Sequence, residues 1–342
     1  MQTEAFVLTQ TGAAKTAFQR QEVSISAPES AEVLIEVEAF GLNYADVMAR
    51  LGLYREAPPM PCVLGYELVG KIIEVGANVS PQLLGKRALA FTRFGAYAKH
   101  AITRADAVHE IPANMTAAQA LPFATQGVTA YYMTDILAPI QPHDNVLVHA
   151  AAGGVGSFLI QLARLRGATV IASTGSDQKL PYIQSLGAQH VINYKKGNYQ
   201  DQIKALLGDQ KLNVSYNPIG AKSAKTDLTL LGPGGRLFLF GGSELANRKG
   251  LLGKLKFLWE MGFLLPIGLM MQSKNILGVN MLKLADAQPL LIQNSMGALI
   301  QLYEQQKLQL PEITTYQAAA FFEAHDALGA GLTKGKLVIE WD

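Results

Sequence analysis

Apolar and polar positions change rhythm once along this chain of 342 residues. Up to about residue 122, short β-branched runs at 4–8, 33–39, 63–75 and 86–91 are separated by Gly, Pro and Asn. That punctuation predicts strands joined by irregular loops, a compact barrel-like unit. Within it, the stretch 43–51, NYADVMARL, has helical spacing and opens with a capping residue. Beyond residue 122 helices and strands alternate: helix 124–136, strand 146–149, helix 155–166, strand 169–172, strand 191–193, helix 199–207, strand 212–216, helix 221–231 and strand 236–240. Strands spaced by helices in this way predict a doubly wound parallel sheet. An apolar insertion, 243–273, interrupts the alternation and carries a dense run from Leu251 to Met271 that includes Phe263 and Leu264. Lys254, Lys256, Glu260 and Pro266 break it too often for a membrane span. Its apolar side chains are therefore expected to bury, over the substrate cleft or against a second copy. A strand at 275–280, a helix at 287–305 and a closing strand at 335–340 complete the pattern, the last expected to return to the first domain.

Composition narrows the picture further. The chain is 49% hydrophobic and 16% charged, as soluble globular proteins are, and is long enough for two domains. A net charge of +2 without any basic run argues against nucleic acid as a partner. One cysteine, Cys62, excludes an internal disulfide and a multi-cysteine zinc lobe, and the six histidines show no ligand spacing. Nothing at the start of the chain resembles a signal peptide, which makes a cytoplasmic location the default expectation.

The stretch with most chemistry is NVLVHAAAGGVGSFLIQLARLRGATVIAS, one βαβ unit. Ala151, Gly153 and Gly156 stand where a G-x-G-x-x-G fingerprint has its glycines, with Gly154 added beside the second. Small residues let the main chain approach a pyrophosphate, whose charge the N–H groups and dipole at the helix start offset. An acidic residue at the end of the next strand would select NAD by bonding its ribose, and none is present. Ser173, Gly175 and Lys179 stand there instead, Asp177 reads as a helix N-cap, and NADPH is the cofactor expected.

The segments NYADVMARLGLY, PCVLGYELVGKIIEVGANV, GAYAKHAI, LPFATQGVTAYYM, HAAAGGVG, LGAQHVINY and GKLVIEW follow one another in the order found in a known family. The chain resembles the zinc-independent quinone oxidoreductase branch of the medium-chain dehydrogenase/reductase superfamily, and its apolar insertion is similar to that of the synaptic-vesicle membrane protein subgroup. The resemblance implies an α/β fold, a Rossmann doubly wound parallel sheet plus a β-rich GroES-like catalytic domain. The domains would be 1–122 (catalytic), 123–282 (nucleotide-binding, with the insertion) and 283–342 (returning to the catalytic domain). In zinc-dependent members of the superfamily the metal ligands fall at positions matching Asn43, Tyr66, Glu67 and Thr125; here no thiolate or imidazole is present to hold the metal.

By the same resemblance, Asn43, Arg50 and Tyr54 would act on the substrate, with Tyr54 donating to it, while Tyr44 and Thr129 line the cleft beside the cofactor. Gly153, Gly154, Val155 and Gly156 would hold the pyrophosphate. Ser173, Gly175 and Lys179 would surround the 2′-phosphate with Tyr194 near that end, and Asn217 and Phe240 would flank the adenosine and nicotinamide. The expected activity is NADPH-dependent reduction of quinones or α,β-unsaturated carbonyls by a homodimer. The alternative is a nucleotide-binding protein that docks on a membrane or partner and has little redox activity.

Overall fold

The computed structural model describes residues 1–248, 250–262 and 265–341, and the side chain of Leu251 is not described. Phe263 and Leu264 of the apolar insertion therefore lie outside the described residues. The chain divides into two compact units, the first comprising Met1–Thr129, Met281–Gln306 and the residues from Leu310 onward, the second Ala130–Asn280 and Lys307–Gln309.

In the first unit, the strands Ile313–Gln317, Lys336–Glu340, Glu32–Leu42, Glu67–Val75, Arg87–Phe91 and Val108–Glu110 lie side by side in that order, and His100–Arg104 also pairs with Glu32–Leu42. A smaller sheet joins Phe18–Ser24, Gln2–Leu8 and Cys62–Val63. The closing strand does return here: Leu337 pairs with Leu42 in antiparallel register. Phe6, Phe40, Phe321 and Trp341 pack around one another, with Phe6 stacked on Phe321 at 4.0 Å between ring centroids.

The run at 63–75 is not one strand, as its apolar pattern had suggested. Gly65 breaks it at φ +97°, where a Cβ would run into the Tyr97 ring and the Ala96 methyl, 2.8 Å away. Cys62–Val63 therefore joins one sheet and Glu67–Val75 the other. Phe18–Ser24 escaped notice because only Phe18 is buried, so the strand shows no alternation.

In the second unit all six strands are parallel, in the order His190–Asn193, Thr169–Thr174, Asn145–Val148, Leu212–Asn217, Leu231–Leu239, Asn275–Gly278. Counted along the chain this is 3-2-1-4-5-6, the dinucleotide-binding order, and its direction reverses between Asn145–Val148 and Leu212–Asn217. The helix Gly154–Leu165 follows the first of these strands, its apolar side buried through Phe158, Leu159, Ile160 and Leu162. The helix expected over 221–231 stops at Leu230, and the next strand starts at once and runs Leu231–Leu239, which leaves Phe240 beyond its end. The helix expected over 124–136 opens as Thr125–Tyr131 and continues as a π-helix, Tyr132–Leu137.

The insertion contains the helices Gly250–Met261 and Pro266–Gln272. Within the chain much of its apolar surface is not buried: Leu252 is 83% exposed, Trp259 74% and Met271 80%. Among the described residues no helix is long and apolar enough to cross a membrane.

Candidate active site

In the second unit the turn after Asn145–Val148 is built for close backbone approach. A Cβ at Gly156 would lie 2.6 Å from the Ala150 carbonyl oxygen and 2.8 Å from the Ala151 Cα. Gly153 is the N-cap of the helix, with extended backbone, and Gly154, Val155 and Gly156 form its first turn. The open donors of that turn and the positive end of the dipole form an anion-binding geometry at the point where strand order reverses.

Behind this turn, one buried carboxylate ties three strand ends together, a feature the sequence reading missed. Asp227, fully buried, accepts hydrogen bonds from Ser215 Oγ at 2.8 Å, Asn217 Nδ2 at 2.6 Å and Tyr199 Oη at 3.0 Å. It also contacts His149 Nε2 at 2.9 Å, and His149 Nδ1 in turn meets Ser173 Oγ at 3.0 Å. Two of the residues expected to contact the cofactor, Ser173 and Asn217, belong to this network. The Ser173 hydroxyl, buried, meets His149 Nδ1. The amide of Asn217 serves Asp227 and Ser223 with its nitrogen, and its oxygen accepts from the N–H groups of Ile219 and Gly220, both at 2.9 Å.

Gly175 and Tyr194 do come together: a Cβ on Gly175 would meet the tyrosine Cζ at 2.7 Å. Lys195, which the sequence reading passed over, lies at the same place, its Cε 3.2 Å from that Cβ position. Asp177 is the first residue of a short 3₁₀ turn rather than its N-cap, which is Ser176. Its carboxylate accepts from Asn193 Nδ2 at 2.8 Å and pairs with Lys196 at 2.5 Å, and that partnership holds its pKa below the usual range. Lys179 closes this turn, half-buried, and Phe240 is half-buried with its N–H directed to the Asn217 carbonyl at 3.4 Å.

In the first unit, Asn43 caps the helix Tyr44–Arg50, and its backbone N–H donates to Asp46 Oδ2 at 2.9 Å. Its side chain is committed as well: Nδ2 donates to Glu67 Oε1 at 2.8 Å, and Oδ1 accepts from Lys336 Nζ at 3.3 Å. Glu67, fully buried, also accepts from the Thr125 N–H at 2.6 Å and from the Lys336 ammonium, which is fully buried too. Gly41 leaves room for this pair, since a Cβ there would stand 2.6 Å from Lys336 Nζ. Of the positions matching zinc ligands, Asn43 and Glu67 thus meet a buried ammonium group, and the Thr125 N–H meets Glu67. Among the described residues no three His, Cys, Asp or Glu side chains come together as a metal cluster.

Arg50 is buried and paired. It is 5% exposed, and its guanidinium donates to Asp326 on the helix Phe321–Gly329. Thr129 directs its hydroxyl proton to the Thr125 carbonyl of its own helix at 2.5 Å. Tyr54 is half-buried with its ring edge-on to Tyr66, centroids 6.2 Å apart. Burial first, then the nearby Glu56 carboxylate, push its pKa up to about 12, so the phenol keeps its proton. Tyr44 is half-buried in the first turn of its helix.

Comparison with known proteins agrees with this architecture. Residues 29–113 match the family model described as alcohol dehydrogenase GroES-like domain, and residues 154–295 the one described as zinc-binding dehydrogenase. A mouse protein named quinone oxidoreductase-like protein 2 is 35% identical over 71% of this chain and 70% of its own length. The human synaptic vesicle membrane protein VAT-1 homolog is 29% identical over 85% of this chain and 74% of its own length. The crystal structure of the Escherichia coli quinone oxidoreductase complexed with NADPH superimposes with a TM-score of 0.85 at 25% identity, covering 98% of this chain and 99% of that one. With a GroES-like sheet, a 3-2-1-4-5-6 nucleotide-binding sheet and relatives of this closeness, the chain belongs to the quinone oxidoreductase family of the medium-chain dehydrogenase/reductase superfamily.

Proposed function

We propose that this protein reduces quinones or α,β-unsaturated carbonyl compounds with NADPH and without zinc. The observation that carries the reading is the turn at Gly153–Gly156, where the helix start lies so close to the backbone of Ala150 and Ala151 that position 156 has no room for a Cβ. When bound there, NADPH supplies the hydride.

The turn's N–H groups would hold the pyrophosphate, with Val155 in the same first helical turn. Lys179 and Lys195 would face the 2′-phosphate beside Gly175 and Tyr194, where Asp177, already paired with Lys196, no longer presents a free carboxylate to repel it. Tyr44, Thr129 and Phe240 are kept as cofactor contacts of this proposal, while Ser173 and Asn217 serve through the Asp227 network instead.

Reduction of such an acceptor builds negative charge on its carbonyl oxygen, and a donor aimed at that oxygen lowers the barrier. Tyr54, protonated across the physiological range, is the donor proposed; Asn43 and Arg50 act as positioning residues through Glu67 and Asp326. Against zinc stands the donor chemistry at the matching positions: an amide, a phenol, a hydroxyl, and one carboxylate already held by Lys336. Among the described residues the outer strand Asn275–Gly278 has a neighbour on one side only, and it offers its other edge to a second copy in the proposed homodimer.

The test is absorbance at 340 nm with NADPH or NADH and a panel of quinones, enones and alkenals. Turnover with NADPH that falls at least about tenfold in Tyr54→Phe through kcat supports the proposal. Zinc bound stoichiometrically and needed for turnover refutes it, as does failure of the protein to bind NADPH.

A further inference from the structure

Three buried oxygens of the first unit, Asp46 Oδ1, Tyr66 Oη and Tyr97 Oη, have no hydrogen-bond partner among the described residues. Asp46 and Tyr97 are fully buried and Tyr66 is 2% exposed. Backbone contacts bring the two phenols together. The Tyr97 N–H donates to the Leu64 carbonyl at 3.1 Å, and the Tyr97 ring fills the space left by Gly65, its Cε1 2.8 Å from where a Cβ would be. Tyr66, the next residue, stands with its ring edge-on to Tyr54. Burial and Glu56 raise the Tyr54 pKa most, and against them the Tyr66 hydroxyl favours the Tyr54 phenolate. At the other end the Tyr97 hydroxyl lies beside the Asp46 carboxyl. After burial, Asp46 is the largest influence on Tyr66 and on Tyr97, but a minor one on Tyr54. The order is therefore Asp46 with Tyr97, then Tyr66, then Tyr54.

Capping the helix Tyr44–Arg50 does not call for this arrangement. Oδ2 alone meets the Asn43 N–H, and an asparagine would accept it equally. What only a carboxyl adds is a proton. Burial raises the Asp46 pKa to about 7, whereas Tyr54 holds its proton to about 12, so a proton moves downhill from this carboxyl to a Tyr54 phenolate. The charged groups that face Asp46, Glu67 and Lys336, are paired with each other. On the helix Phe321–Gly329, packed against its own, Asp326 is paired with Arg50, and burial keeps His325 neutral.

We infer that Asp46 is a one-proton store whose proton Tyr66 passes to Tyr54, while Tyr97 orients the carboxyl. The inference rests on the reduction proposed above. Once hydride has joined the acceptor as a new C–H bond, the electron pair displaced from the acceptor's π bond rests on its carbonyl oxygen. That oxygen takes the Tyr54 proton. The Tyr54 phenolate takes the proton of Tyr66, and Tyr66 takes that of Asp46 Oδ1. The Asp46 carboxylate is reprotonated from water after product has left, so no water need enter while the acceptor is bound.

The test uses the full chain with NADPH and the acceptor it turns over fastest. In a single turnover at pH 6 followed by infrared difference spectroscopy, with aspartate isotope-labelled, the C=O stretch of a protonated carboxyl should disappear as NADPH is oxidised and then return. Asp46→Asn should lack the band, and Tyr66→Phe should keep it throughout. Each of these variants should lower kcat at least about tenfold with KM little changed. Tyr54→Phe combined with Tyr66→Phe should be no slower than Tyr54→Phe alone, since the residues act as a unit. Above about pH 7 the parent's kcat should fall to the level of Asp46→Asn, whose own kcat stays flat. A labelled carboxyl band that persists through turnover overturns the inference, as does unchanged kcat in both single variants, and either result leaves the Tyr54-dependent reduction standing. Absence of turnover with every acceptor, or turnover indifferent to Tyr54→Phe, overturns the proposed function and this inference together.

Discussion

Two buried titratable groups in the first unit should oppose each other across the acidic range, and single substitutions should expose the opposition. Asp46 is fully buried; its Oδ2 accepts the Asn43 N–H, and its Oδ1 has no partner among the described residues. Burial raises its pKa from 3.8 to about 7, against which the Asn43 hydrogen bond is the smaller effect. The folded protein therefore keeps a proton that the unfolded chain releases, and this group's contribution to stability falls as pH rises from about 4 to about 7. About three pKa units correspond to about 4 kcal/mol.

His325 is fully buried among Phe18, Tyr97 and Phe321, and neither ring nitrogen has a hydrogen-bond partner among the described residues. Burial, helped by the Arg50 charge, lowers its pKa from 6.5 to about 3. Here the unfolded chain binds the proton that the fold refuses, so its contribution is fully present above about pH 6.5 and is lost as pH falls toward 3, on the order of 5 kcal/mol in all. Between pH 4 and 6.5 the two slopes cancel.

Asp46→Asn retains an acceptor for the Asn43 N–H and removes the falling slope, so stability should rise by about 1.4 kcal/mol per pH unit relative to the parent over that interval. His325→Phe keeps an aromatic ring in the cluster and should tilt the profile the other way. Urea unfolding at pH 4.5, 5.5 and 6.5, followed through Trp341 in a Trp259→Phe background, reads the first unit specifically. Parallel pH profiles for the parent and Asp46→Asn would refute the reasoning.

Two further outcomes follow from the buried pairs. Lys336→Met leaves Glu67 buried without its counter-charge and should cost about 3–5 kcal/mol in the same urea assay, most of it recovered when Glu67→Gln is added; a double variant no better than the single one would show that packing, not charge, is at stake. Asp227→Ala removes the common partner of Ser215, Asn217, Tyr199 and His149, with about 1–3 kcal/mol at risk for each donor left unmet. It should weaken NADPH binding at least about tenfold in a fluorescence titration while Asp227→Asn loses less, and an unchanged affinity would disconnect the network from the turn.

Much of this protein was written locally. The glycines of the turn, the alternation of strands and helices after residue 122 and the cap at Asn43 depend on neighbours a few residues away, where backbone geometry and hydrophobic period operate. What the chemical groups do once folded was decided at long range. Arg50 is committed to Asp326, 276 residues on, and Asn43 to Lys336, 293 residues on. His149 meets Asp227 across 78 residues. No spacing rule connects such positions, so residues that looked free to meet a ligand proved to be holding one another. The apolar insertion shows the converse. Its composition announced a surface in need of cover, and only the packed helix, with Phe257 and Met261 turned inward, revealed which of its side chains remain uncovered.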